Sequence, residues 1–153
     1  MKLVIQRVSR ASVRVDEGVI GEIALGFLVL LGAEAGDTAS EAEEAARKVA
    51  ALRVFEDADG KMNLSLADVG GSALVVSQFT LAADLSRGRR PGFERALPGR
   101  EAEPLYERFV SALAAEGVPV ATGVFGATMQ VALVNEGPAT FLLDVKGAGR
   151  AAP

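Results

Sequence analysis

The chain has 153 residues, enough for one domain with a sizeable core, and its 50% hydrophobic and 24% charged content is that of a folded soluble protein. It contains neither histidine nor cysteine. That excludes disulfides, a Ser-His-Asp triad, a thiolate nucleophile, an imidazole base and a zinc-finger site, and leaves hydroxyls, amides, carboxylates, cations, backbone dipoles or substrate groups for any catalysis. The net charge of -4 argues against a basic nucleic-acid coat, yet residues 84–100, "DLSRGRRPGFERALPGR", hold five arginines against Asp84 and Glu94. A local phosphate-binding patch and solvated turn arginines are both open readings of that stretch.

The amino end, "MKLVIQRVSRASVRVD", alternates as a strand and lacks a signal-peptide apolar region. "EGVIGEIALGFLVLLGAEAGD" predicts a short strand, a turn near Gly26 and a buried strand through Phe27 to Leu31. That run is too short to cross a membrane, so no membrane partner is expected and a cytoplasmic location is. Thr38 fits a helix N-cap, with Glu41 three residues later as its box partner. Ala42, Ala45, Ala46, Val49 and Leu52 follow helical spacing.

"LRVFEDADGKMNLS" begins with a strand and carries a hairpin signal at Asp59-Gly60. Its acidic loop lacks the spacing of a calcium loop, and neither a metal nor a cofactor is expected. "SALVVSQFTL" predicts a strong strand from Ala73 to Phe79. The Arg/Gly/Pro-rich stretch reads as a long connection. A second helix is expected from Glu101 to Glu116, with Leu105, Phe109 and Leu113 at four-residue steps and Gly117 as its stop. "VPVATGVFG", "TMQVALVN" and "TFLLDVKG" are predicted strands. The order predicts an α+β fold with helices covering one side of the sheet. A single domain over 1–153 is expected, with residues 145–153 as a flexible tail.

Four segments carry candidate chemistry. In "VVSQFTL", Ser77 and Phe79 share one face of a strict strand and Gln78 and Thr80 the other, so the four converge only where the strand bends or ends. Its hydroxyls either satisfy local backbone groups or form a carbonyl-binding corner, with the amides of Phe79 and Thr80 stabilising an oxyanion. "NEGPAT" is either a reverse turn or a rigid edge whose carbonyls orient an ammonium and whose wall excludes one hand of side chain. In "GRRPGF", Arg89 and Arg90 offer phosphate contacts and Phe93 stacks or packs. "FGATMQ" sets small Gly126 and Ala127 beside Met129, which general odds place in a core.

"SQFTL" and "NEGPAT", supported by "VIQRVSRASV", "FEDADGKMNLS", "GRRPGF", "EPLYERFV" and "FGATM", make the chain resemble the D-aminoacyl-tRNA deacylase family from residue 1 to about Asp144. Ala82 stands where the family often has an aromatic, and Gly92 where it often has serine. The resemblance implies a barrel-like β core with helices outside, and a homodimer with both active sites at the interface. It implies that Gly137-Pro138 is a cis peptide reaching into the other subunit as a chiral selector, braced by Arg7 within a motif that includes Asn135 and Thr140. Ser77, Gln78, Phe79 and Thr80 would form the ester pocket, and Gly126, Ala127 and Met129 the pocket for the terminal adenosine. The implied reaction is hydrolysis of the ester in D-aminoacyl-tRNA, and of glycine mischarged on tRNA, assisted by the terminal ribose 2′-OH. A Thr80 nucleophile is the rival mechanism. A noncatalytic RNA-binding dimer and a general small-ester hydrolase are the rival functions.

Overall fold

The structure, a computed structural model, describes residues 1–147. Strand β1 (Lys2–Val15) turns at Asp16–Glu17 into β2 (Gly18–Ile23), which is followed by β3 (Gly26–Gly32). The chain does not reverse near Gly26. β2 lies against Ala11–Val15 of β1 and β3 against Lys2–Val8, both antiparallel to it, so the two run on along one edge of the same strand.

Helix α1 (Ala39–Ala50) starts where the sequence predicts. Thr38 Oγ1 accepts from the Ser40 amide, and the Glu41 carboxylate accepts from the Thr38 amide at 2.7 Å. The Thr38 hydroxyl, which also donates to the Glu41 carboxylate at 2.6 Å, and then the Thr38 amide hold the Glu41 carboxyl below its ordinary range. After it come the short hairpin β4 (Phe55–Glu56) and β5 (Met62–Leu64), then β6 (Ser72–Ser77). β6 stops at Ser77 rather than Phe79, because the chain tightens into a 3-10 turn over Phe79–Ala82. Helix α2 (Gly99–Ala115) starts two residues before the expected Glu101. Of "VPVATGVFG" only Val120–Thr122, β7, is strand. The last two predicted strands are one, β8 (Gln130–Asp144).

β6 pairs parallel with β3 and β7 parallel with β6. Parallel neighbours need crossovers, and α1 and α2 lie on those two crossovers and pack on one face of the sheet. β8 lies on the other edge of β1. The result is an α+β fold: a near-closed, barrel-like sheet with helices outside. Gly21 marks the near-closure, since a Cβ there would lie 2.6 Å from the Thr122 carbonyl oxygen.

Strand alternation sorts the apolar residues into two cores. Leu3, Ile5, Phe27, Val29, Ala73 and Val75 face the helices and pack on Val49, Phe109 and Leu113. Val8, Val13, Leu28, Leu74 and Val76 fill the opposite side. The inward phase of β1 changes at Arg7, where its register with β8 shifts. Val145 is buried, and its amide donates to Met1 O at 2.9 Å, so the chain stays on the fold past β8. The rest of the expected tail, from residue 148, lies outside the described residues. Among the described residues no helix is long and apolar enough to cross a membrane.

Candidate active site

The end of β6 makes a corner. Gln78, with φ -146° and ψ 79°, leaves strand geometry. Its amide still donates to Leu31 O at 2.7 Å, while its carbonyl accepts from the Leu81 amide at 3.2 Å and starts the 3-10 turn. The leading amides of such a turn, those of Phe79 and Thr80, have no acceptor within it. The Gln78 carboxamide donates to Thr80 Oγ1 at 2.5 Å.

The corner opens on a cavity of about 520 Å³. Ser77, Gln78 and Phe79 form one wall. Leu97, Pro98 and Gly99 at the start of α2 form another, Tyr106 a third, and Phe125, Gly126, Ala127 and Met129 the side leading into β8. No lining residue is charged. Tyr106 donates its hydroxyl to Val75 O at 2.9 Å and tilts against Phe125 at 5.7 Å. Burial pushes its phenol up to about 12, so it is a neutral, fixed wall at physiological pH.

A second constellation lies between β1 and β8. Gln6 pairs with Thr140 and Val8 with Asn135, so Glu136, Gly137, Pro138 and Ala139 stand opposite Arg7 alone. This large bulge replaces the reverse turn. Arg7 is 5% exposed. Its Nε donates to Glu136 O at 2.8 Å and its Nη1 to Val54 O. Asn135 closes the bulge from inside: its amide nitrogen donates to Arg7 O and Ala139 O, each at 3.0 Å, and its oxygen accepts from the Ala139 amide at 3.2 Å. The Gly137-Pro138 bond is cis. Gly137 has φ 143°, and a Cβ there would lie 2.7 Å from Arg7 Nη2. Gly137 and Pro138 are exposed. Thr140 Oγ1 accepts from the Gln6 side-chain carboxamide at 3.3 Å.

The predicted residues therefore fall into three groups. Ser77, Gln78, Phe79, Gly126, Ala127 and Met129 meet around the cavity, with Thr80 exposed beside them. Arg7, Asn135, Gly137, Pro138 and Thr140 gather in the bulge region and do not line that cavity. Arg89 and Arg90 stand exposed in a loop closed by the Asp84–Gly92 bridge, whose two hydrogen bonds are 2.8 and 2.9 Å. Sequence reasoning passed over Tyr106, Phe125 and Leu97 as cavity walls. Tyr106 sits within "EPLYERFV" and Phe125 opens "FGATM", so proximity to those motifs was the available signal. Among the described residues no cluster of three or more His, Cys, Asp or Glu is placed to hold a metal ion. In the acidic DADG loop, Asp57 Oδ1 accepts from the amides of Asp59 and Lys61 at 2.9 and 3.0 Å.

Residues 4–144 match the protein family described as D-Tyr-tRNA(Tyr) deacylase. A D-aminoacyl-tRNA deacylase of Thermomicrobium roseum is 59% identical over 144 residues, covering 94% of this chain and 94% of that protein. One from Geobacter sulfurreducens is 56% identical over 146 residues, covering 95% and 96%. Among solved structures, a protein described as c-Myc DNA Unwinding Element Binding Protein superposes with TM-score 0.89 at 42% identity, over 96% of this chain and 100% of that one. A probable eukaryotic D-amino acid tRNA deacylase shares the fold at TM-score 0.79 and 18% identity, over 94% and 98%.

Proposed function

The chain belongs to the D-aminoacyl-tRNA deacylase family, enzymes that hydrolyse the ester between an amino acid and tRNA, and we propose that it does so at a neutral corner completed by the Gly137-Pro138 edge of a second copy. The observation that carries this reading is the charge-free lining of the cavity at Ser77–Thr80. Such a lining suits the uncharged terminal adenosine and lacks any carboxylate to pair with the substrate ammonium. Burying that ammonium with neither a counter-charge nor an acceptor for each of its protons is costly. Backbone carbonyls of the bulge supply such acceptors, and they lie outside the cavity of their own protomer. A partner copy brings them in.

The geometry of β8 supports that partner. Only one of its edges is paired among the described residues, and Leu142 on it is 82% exposed. A 15-residue edge strand with apolar side chains invites a second chain, and an isologous dimer is the commonest solution.

The amides of Phe79 and Thr80 are the oxyanion donors in this reading, with Ser77 and Gln78 orienting the ester carbonyl. The terminal ribose 2′-OH activates the attacking water, because the chain brings no imidazole or thiolate and the cavity no carboxylate. The Thr80-nucleophile route is disfavoured, because Thr80 Oγ1 accepts from a carboxamide, which is no general base. An L side chain collides with the braced bulge, a D side chain points away, and glycine has none to exclude. Arg89 and Arg90 contact tRNA phosphates.

The test is deacylation of D-Tyr-tRNA and L-Tyr-tRNA, each with and without the terminal 2′-OH. Release of D-tyrosine alone, lost with the 2′-OH, is expected. Equal slow decay of both enantiomers, unchanged by the protein, overturns the reading in favour of a noncatalytic RNA-binding dimer.

A further inference from the structure

We propose that Phe93 is a positioning residue for the ester corner, acting through the ring of Phe79; the proposal rests on the deacylase reading above. Phe79 is 58% exposed and Phe93 38% exposed, yet their rings pack at 5.1 Å with a 54° tilt. Two large apolar rings standing in solvent beside a cavity gain chiefly from each other, and a tilted pair at this distance has favourable quadrupole geometry.

The surroundings of the pair explain its place. Phe79 opens the 3-10 turn, so its Cα carries both the ring and the amide that faces the developing oxyanion. Phe93 immediately follows the Asp84–Gly92 bridge that closes the arginine loop. Beyond it the chain is held firmly: the Ala35 amide donates to Arg95 O at 2.9 Å, the Leu97 amide to Ala33 O at 3.1 Å, and Leu97 and Pro98 line the cavity. The ring of Phe93 therefore stands on an anchored leg and braces a turn whose leading amides have no acceptor within it. An oxyanion donor must be held to within a fraction of an ångström to be effective.

Phe93 thus acts on the chemical step rather than on tRNA affinity, which separates it from Arg89 and Arg90 in the same loop. The experiment compares wild type, Phe93→Ala and Phe93→Tyr on D-Tyr-tRNA and on 3′-O-D-tyrosyl-adenosine, which has no phosphates. Phe93→Ala is expected to lower kcat about fivefold on both substrates, within the range set by an aromatic pair, and to leave KM for the tRNA within about twofold. Phe93→Tyr, which keeps the ring, is expected to restore kcat. Unchanged kcat in Phe93→Ala, or a loss confined to KM for the tRNA, overturns the proposal while a working wild type leaves the deacylase reading standing. A wild type inert toward D-Tyr-tRNA sinks both.

Discussion

The corner at Ser77–Thr80 and the bulge at Asn135–Thr140 are built on opposite principles. The corner is the end of a buried strand, polar only through its backbone, Ser77, Gln78 and Thr80, and it opens on a cavity with no charged side chain. The bulge is organised around a buried guanidinium and one asparagine, and its tip faces solvent. Each lacks what the other has: the corner has a cavity and no carboxylate for an ammonium, the bulge has directed carbonyls and no cavity. In the function proposed above, selectivity and chemistry fall to separate parts of one chain, each held by its own brace.

Either region can be disabled on its own. The largest effect is expected from Phe79→Pro, which deletes one oxyanion donor at the leading position of a turn, where proline is tolerated. Deacylation of D-Tyr-tRNA should fall by roughly 10² to 10³, and single-turnover rates check it. Gly137→Val places a branched side chain against Arg7 Nη2 at a φ that such residues avoid. It should displace the bulge and cost on the order of 10² in rate while leaving a thermal melt cooperative. Arg89→Ala and Arg90→Ala should each weaken tRNA binding and lower the salt slope by about 1, measured as affinity against salt concentration, with turnover of 3′-O-D-tyrosyl-adenosine unchanged. Thr80→Ala should stay within about threefold of wild type, since it removes one neutral hydrogen bond; abolished turnover in a folded, tRNA-binding variant would instead favour the nucleophile route.

The two regions were unequally legible in the sequence. Helix α1 could be read residue by residue because its start is local chemistry: Thr38 and Glu41 cap each other across three residues. The corner was half legible. The hydroxyls and the need for the strand to end were visible, but its stop at Ser77 comes with the 3-10 turn over Phe79–Ala82, which packs so closely on Gly32 of β3 that a Cβ there would lie 2.7 Å from Gln78 O. The bulge was the least legible. Gly137-Pro138 reads locally as a turn, whereas β8 runs straight through it because Arg7 and Asn135 supply the hydrogen bonds that the ladder loses there. Asn135, expected among substrate-binding groups, spends its carboxamide on Arg7 and Ala139, and we assign it to bracing the bulge. Tyr106 was hidden for a similar reason, since only the packing of α2 reveals that it walls the cavity.

The smallest effect belongs away from both regions. Glu41→Gln should destabilise the fold by about 1 kcal/mol at neutral pH through the weakened capping box, with deacylation unchanged. The Glu41 carboxyl titrates below its ordinary 4.5 in the fold, so its contribution is present above 4.5 and is lost as the pH falls through the lowered value. Melts of the two proteins should converge in acid.

Mixed dimers of Phe79→Pro and Gly137→Val protomers test the division of labour most directly. If the bulge of one copy completes the corner of the other, a mixed dimer holds one site with both defects and one with neither, and should recover about half of the wild-type turnover per dimer. If each chain builds its site alone, both sites of the mixed dimer are damaged, and a mixture no more active than its parents would contradict the account.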